Sequence, residues 1–471
     1  MPSRYHNDPI AMTLLSKLVA RLMALPAPEG IARELIRHAG VDLLGCMLVG
    51  ARHPLAAQTR AALASYDGKA PIFGSGRCTV APCAVLCNAM AAHIYEFDDW
   101  EEPGNTHPSA VLFPALWAVA AERGKAEQVV SGAEIAAAYH AGFEVIAILG
   151  TAFNFEHYNQ GWHSTGTLGG IGAAAAVARL LRLDAVQTEH ALSLAMTQAS
   201  GYVSQFGSPA KALHAGFAAR NGLMAAFLAE QGLSGKAAAL EGAKGFCGLM
   251  SHGDSRRLDR ALEKTDGSAL SEWGLVVKPY PSCGYTHRLV DCALELFPQL
   301  EMAKGQANRI QKIQVEMPDF HYAILPFDRP VSAAEARFSV PFCVATALHR
   351  GRLALDDFSD EPIGDPELQD LMAKVEVSPQ AAACPGMNYD PDQPDRLRVT
   401  LATGRVLETS RAYPRGAPQN PLSMAEVRAK FDDLAGPYGG RVVDDLLRWD
   451  QSSDINRILA PFAETPTGEM S

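Results

Sequence analysis

The sequence lacks the marks of several large functional classes. No Cys-x-x-Cys pair occurs among its nine cysteines, whose number is odd and whose spacing is irregular. Zinc ribbons and Cys-run iron–sulfur clusters need such pairs. Most of these thiols sit among Ala, Val and Leu, so they read as reduced core residues. The 14 histidines contain no HxxxH or HExxH spacing, so no metal site is expected. Positive charge is short as well: 41 Lys and Arg stand against 52 Asp and Glu, a formal charge of −11. That balance argues against nucleic acid or an anionic membrane as the main partner, because both need a positive surface. No window reaches the roughly 18 to 20 uninterrupted apolar residues of a membrane helix. The best candidate, 166–181, is short, rich in Gly and Ala, and carries Arg179. The opening MPSRYHNDPIAM has no signal-peptide core, so the expectation is a cytoplasmic protein that spans no membrane.

What is present is apolar and small. Hydrophobic residues make up 48% of the 471, charged residues 20% and aromatics only 7%. This suffices for a full core and is too weakly charged for disorder. Small side chains let helices approach closely, which favours packed helices over a β-sandwich.

From about residue 10 to 270 apolar residues recur at three- and four-residue steps. The segments 31–49, 111–121, 134–149, 169–181, 186–196 and 212–229 read as helices, separated by Pro and Gly punctuation such as Pro26, Pro28, Gly68 and Gly124. After Trp273 the texture changes. Segments 309–317, 374–377, 396–401 and 406–410 read as strands, the last two joined as a hairpin at Thr403-Gly404, while 333–350 and 365–373 read as helices. Helical patterning resumes over 423–459, and the tail beyond Glu464 is expected to be disordered. The predicted architecture is mainly α: a large helical domain built from 1–273 and 412–471, with a smaller α+β domain, 274–411, inserted in it.

Four segments place ionisable residues beside turn formers. The first runs from His93 through Asp98, Asp99 and Trp100 to a Pro/Gly loop and then His107-Pro-Ser109. Its carboxylates and histidine suit an acid/base cluster; equally, Asp and Ser here could simply cap helices. The second is Gly161-Trp-His163-Ser-Thr165-Gly-Thr167-Leu-Gly-Gly-Ile-Gly172. Free N–H groups at such a helix start, with the Thr165 and Thr167 hydroxyls, suit a carboxylate or phosphate. The glycines also suit tight helix packing, and they match neither GxGxxG nor a P-loop. The third is Ser208-Pro-Ala-Lys211-Ala-Leu-His214, which sets Lys211 and His214 on one helical face. A lysine at a helix N-terminus opposes the dipole, which is either a functional compromise or a solvated side chain. The fourth is Lys278-Pro-Tyr280-Pro-Ser-Cys283-Gly-Tyr-Thr-His287-Arg288, a stiff loop with several cationic groups and a remote chance of a Cys283–His287 nucleophile pair.

In this order and at these separations, the four segments resemble the MmgE/PrpD family, over roughly residues 12–460. The most specific parts are Glu96-Phe-Asp-Asp99 with His107-Pro-Ser, and Gly161-Trp-His163-Ser-Thr-Gly-Thr. Lys211-Ala-Leu-His214-Ala-Gly with Leu240-Glu-Gly, Lys278-Pro-Tyr-Pro-Ser-Cys283, and Ala336-Arg-Phe-Ser339 with Cys343-Val-Ala add to it. The resemblance implies a helical domain plus a smaller α+β lid, a homodimer, and work on a small di- or tricarboxylate without metal or organic cofactor. Activities in the family include 2-methylcitrate dehydratase, cis-aconitate decarboxylase and iminodisuccinate epimerase. The leading expectation is a lyase of dehydratase or hydratase type on a citrate-like acid. An epimerase, an isomerase or a decarboxylase on the same scaffold is the alternative, and a non-catalytic carboxylate-binding protein is the reading from another class.

The positions that match the family's catalytic cluster are Asp98, His107, His163, Lys211 and His287. His107 and His163 are expected to transfer protons, Lys211 and His287 to hold substrate carboxylates, and Asp98 to orient a histidine. Thr165, Lys278, Tyr280 and Arg288 are expected to contact substrate. Building charge next to a carboxylate demands cations, which this set supplies. Two positions depart from the family pattern. Trp100 follows Asp99 where a small polar residue such as Thr is common, and Phe342 precedes Cys343 where many members have Tyr. Both are expected to narrow or dry the pocket.

Overall fold

The computed structural model describes residues 12–124, 128–251, 255–263, 268–300, 310–384, 386–438 and 443–464. The disordered tail expected beyond residue 464 lies outside them. The fold is mainly α. Its body is built from α1 (Gly30–Ala51), α2 (Ala81–His93), α3 (Pro108–Gly124), α4 (Gly132–Phe153), α5 (Ser164–Leu181) and α6 (Ala210–Glu230). Most of these helices are buried on nearly every side, as expected of helices that are apolar all round.

Close packing follows from small residues at crossings. A Cβ on Gly172 of α5 would stand 2.4 Å from Ile146 Cγ1 and 2.9 Å from the Gly142 carbonyl of α4. The Ser131/Glu134 capping box starts α4 by satisfying its orphan N–H groups. Among the described residues, the helix long and apolar enough to cross a membrane is α4 rather than 166–181, and 89% of its apolar window is buried inside the protein. Its interior Glu144, which interrupts the apolar run, accepts hydrogen bonds from Arg21 Nη2 (2.6 Å) and the Ala269 N–H (2.9 Å).

The hairpin β1 (Ala70–Ile72) and β2 (Arg77–Thr79) was not legible in the sequence, being three residues per strand. The four-stranded sheet comprises β3 (Ile310–Pro318), β4 (Val375–Gln380), β5 (Asp395–Leu401) and β6 (Val406–Arg411), in the order β4-β3-β5-β6. β3 and β4 are parallel, and the other pairs antiparallel. The β5–β6 turn forms at the expected place, with Gly404 at φ +82°, a conformation glycine adopts without strain. Ile313, Val315, Leu397 and Val399 share a core with Leu289 and Leu296 of α7 (His287–Leu300) and with α8 (Val340–Arg350).

Two helical expectations are corrected. The segment 333–350 breaks into Ala333–Ala336 and α8, because the Ser339 side chain caps α8 and Pro341 stands in its first turn. The segment 423–459 is likewise interrupted: α9 (Met424–Ala435) ends at Gly436, and the last described helix starts only at Ile455. Phe431 of α9, with Trp449 and Ile455, joins the core of α1 and α3. Helices from both sides of the sheet-bearing segment thus bury one common surface.

Candidate active site

The site grows from the loop 94–107 between α2 and α3. Glu96 and Asn105 in this loop adopt left-handed φ values of 55° and 53°, which non-glycine residues hold only where surrounding structure enforces them. The enforcing contacts are visible. The Glu96 carbonyl accepts from Lys278 Nζ at 3.0 Å. Asn105 Nδ2 donates to the Tyr285 hydroxyl at 3.1 Å, and an antiparallel bridge ties Trp100 to Val276. That bridge draws the fourth segment of the sequence against the first.

Behind the loop lies a buried chain of polar contacts. Lys211 Nζ donates to His93 Nε2 at 3.0 Å, and His93 Nδ1 lies 2.9 Å from Asp98 Oδ2. The same carboxylate is 3.2 Å from His107 Nδ1, which also meets the Asp99 carbonyl at 2.9 Å. The acceptors around both Nδ1 atoms make them the protonated nitrogens, leaving Nε2 of His107 as its basic atom. Burial opposes ionisation of Asp98, yet His93 and His107 outweigh it and hold the carboxyl well below its usual range.

Lys211 occupies the first turn of α6 and is 4% exposed. Burial lowers its pKa, while Glu96, its ion-pair partner, pulls the other way. Glu96 is also 3.7 Å from Lys278 Nζ. Its carboxyl falls to about 2, because Lys211, His93 and Lys278 overcome the cost of burial. The solvated-lysine reading of Lys211 is therefore wrong: a buried cation here needs the Glu96 partner that the fold supplies.

His163 precedes α5 as its N-cap, and its Nδ1 lies 2.9 Å from His214 Nδ1. Burial first, then Lys211 and His93, depress its pKa well below the ordinary value. His107 and His214 are each lowered to about 4, chiefly by burial. These three imidazoles are neutral near pH 7 and are available as bases.

Lys211, Lys278, Glu96, His107 and His163 line one cavity, which encloses about 420 Å³ including its mouth. Aromatic side chains, among them Trp100, Phe206 and Phe338, form much of the remaining wall. Lys211 Nζ sits 4.9 Å from the Phe206 ring centre and 5.5 Å from that of Phe338. Such walls exclude water and strengthen every charge interaction inside. Trp100 lines the cavity, and its buried Nε1 finds no acceptor among the described residues.

The other sequence-derived positions fall elsewhere. Asp98 stands one layer back, behind His107. Thr165 is fully buried, with its Oγ1 accepting the His107 N–H at 3.1 Å. Thr167 Oγ1 meets His157 Nε2 at 2.7 Å. Both hydroxyls thus serve the scaffold. His287 does not line the cavity: its Nε2 meets the Ser282 carbonyl at 3.2 Å and its ring packs on Tyr280. The Tyr280 hydroxyl donates to Asp291 at 2.7 Å, and Arg288 pairs with buried Asp395 at 2.5 Å. His287 and Arg288, in the first turn of α7, are held by these partners away from the cavity, and Tyr280 is tied to Asp291 of the same helix. Phe342 is core, packed on Phe358. Cys283 does line the cavity, but burial raises its thiol to about 11, unlike an activated nucleophile.

Glu96, His93 and His214 are the residues that sequence reasoning passed over. All three lie in the singled-out segments, yet nothing in linear spacing shows that residues 96, 211 and 278 meet. The same holds for metal ligation. His93, Asp98 and His107 bring their donor atoms within 4.8 Å of one another, so the fold assembles a three-donor set that no sequence spacing announced.

Comparison with known proteins adds an independent line. The family description MmgE/PrpD N-terminal domain matches residues 14–259, and MmgE/PrpD C-terminal domain matches 280–448. A cis-aconitate decarboxylase of Aspergillus terreus is 28% identical over 447 residues, covering 89% of each chain. Another, of Homo sapiens, is 27% identical over 379 residues, covering 80% of this chain and 75% of the relative.

Proposed function

The chain belongs to the MmgE/PrpD family, and from that premise we propose that it is a lyase that decarboxylates a small unsaturated di- or tricarboxylate. The observation that carries this reading is the convergence of Lys211 and Lys278 on Glu96 inside an aromatic-walled cavity, with His107 and His163 on its wall. The relatives named cis-aconitate decarboxylase support the reaction type.

In decarboxylation one carbon–carboxylate bond breaks, its electron pair stays on the substrate, CO₂ leaves and a proton is added at carbon. The two lysines hold the surviving carboxylates as charge accumulates beside them. The apolar wall favours loss of a charged carboxylate as neutral CO₂. Lys211, hydrogen-bonded to the His93–Asp98–His107 chain, lies where a proton can be relayed and replaced. Where the double bond shifts, the electron pair of the breaking bond forms the new double bond and the old one takes up the added proton, so none is removed from the substrate; His163, on the cavity wall, is placed to deliver that proton.

The test is incubation with cis-aconitate and a panel of related acids, followed by CO₂ release and carbon NMR. Stoichiometric CO₂ with a product one carboxylate shorter is expected. A second reading, dehydration, has its own support: neutral histidines beside a buried ammonium provide the base and acid that elimination of water needs. Rising ultraviolet absorbance from a hydroxy acid without CO₂ would favour it and overturn the first.

A further inference from the structure

The cavity does not end at Lys211. A second space of about 550 Å³ adjoins it, sharing Glu96, Lys211 and Phe338, and its wall includes His53, Ala334 and Arg337. Arg337 is 5% exposed. Its Nε donates to the Tyr95 carbonyl at 3.2 Å and its Nη1 to the Ala333 carbonyl at 2.9 Å. The guanidinium lies over the Tyr95 and Phe358 rings, at 5.2 and 4.8 Å. Among the described residues no carboxylate pairs with it. A buried charge is ordinarily paired, and the other buried arginine described above, Arg288, is paired. Burial lowers the Arg337 pKa to about 10, against the opposing pull of Tyr95 and of Glu96, which makes no ion pair with it. His53 nearby is lowered by burial and by Arg337 itself, so it adds no neutralising group.

We propose that this adjoining space is an anion subsite in which Arg337 receives a remote carboxylate of the substrate, whose reacting end lies between Lys211 and His163. The inference rests on the polycarboxylate reading of the main cavity and adds a specificity determinant to it. Across the two spaces three basic side chains, Lys211, Lys278 and Arg337, face one lining carboxylate, Glu96. This surplus matches a ligand with more than one carboxylate. The flat fork of arginine suits a carboxylate held by two hydrogen bonds. The sequence hides the subsite, because Arg337 falls within 333–350, which reads as one continuous helix with no sign of the break that turns the side chain to the cavity.

The experiment is calorimetric binding of tricarballylate, which is saturated and carries three carboxylates, against succinate, which carries two and is shorter. Wild-type protein is compared with Arg337→Met, Arg337→Lys and Ala334→Asp. The last keeps the arginine and its backbone contacts but places a carboxylate in the subsite. Arg337→Met and Ala334→Asp should each weaken tricarballylate at least about tenfold, the loss expected for a charge-assisted hydrogen bond. Succinate should change by less than about threefold, and Arg337→Lys should recover part of the loss. If Arg337→Met is poorly folded by melting temperature, Ala334→Asp alone decides. Equal weakening of both acids, no effect of Ala334→Asp, or no wild-type binding of tricarballylate overturns the subsite. Inorganic phosphate provides a further arm. Phosphate that binds through Arg337 without competing against tricarballylate would mark a separate effector site and also overturn it. Because the ligands are unreactive, failure of the decarboxylase assay leaves this result standing, and the converse holds too.

Discussion

At the scale of single residues, the site is a set of charges that only burial makes useful. His163→Asn should lower turnover by about 10²- to 10⁴-fold, the usual cost of losing a general acid or base. The melting temperature should stay nearly constant, since Asn keeps a polar group near His214; a variant with full turnover refutes the role. Lys211 differs. Removing it strands Glu96, whose remaining lysine is 3.7 Å away, and breaking a buried pair costs roughly 3–5 kcal/mol. Lys211→Met should therefore melt early and bind substrate weakly, while Glu96→Gln/Lys211→Met should regain stability without regaining activity.

Asp99 offers a pH test. Burial, reinforced by Asp42 and Asp98, raises its carboxyl from 3.8 to about 8 against the hydrogen bonds from Ser109. The folded state therefore holds a proton that the unfolded state releases. The sign follows: stability declines as pH rises from about 4 to about 8. Asp99→Asn should flatten the dependence of melting temperature on pH in that window, and an unchanged slope would count against the shift.

At the scale of elements, the position of His163 depends on how closely α5 lies against α4. Gly172→Ala would force a Cβ within 2.4 Å of Ile146 Cγ1. Overpacking of this kind costs about 1–3 kcal/mol. Thermal denaturation should show that loss, and Ile146→Ala in the same chain should return part of it. A neutral Gly172→Ala would mean that the crossing is looser than described. The helical periods of α1 and α3 to α6 were readable because each buries a wide apolar face. The break at 337–339 was not, because Ala333–Arg350 keeps a helical pattern straight through it; the Ser339 cap and Pro341 decide locally, and the pocket puts Arg337 to use.

At the scale of the whole molecule, the fold gathers one loop, two helix starts and the 278–285 segment around a cavity whose aromatic wall is shared with the core under the sheet. It also gathers His93, Asp98 and His107 into potential metal-binding distance. Their near atoms are already joined by hydrogen bonds in a chain ending at Lys211, which fits a proton relay. Dialysis against a strong chelator should leave turnover intact. Loss of activity restored by one particular metal would replace the relay with a metal site.

By itself the sequence determined the helical body, the strands of the four-stranded sheet and the four segments that bear the chemistry. Those features depend on local period, turn residues and residue type, all of which are written along the chain. Only the tertiary structure decided which members of those segments meet. His287 and Arg288 look as cationic on paper as Lys211 and Lys278, yet the first turn of α7 directs one to a backbone carbonyl and the other to Asp395. Glu96 reads as one more acid in an acidic run until Lys211, 115 positions away, closes on it. Charge and spacing are local properties, whereas burial, and with it the shifts that turn a lysine or a histidine into a working group, belongs to the packed molecule.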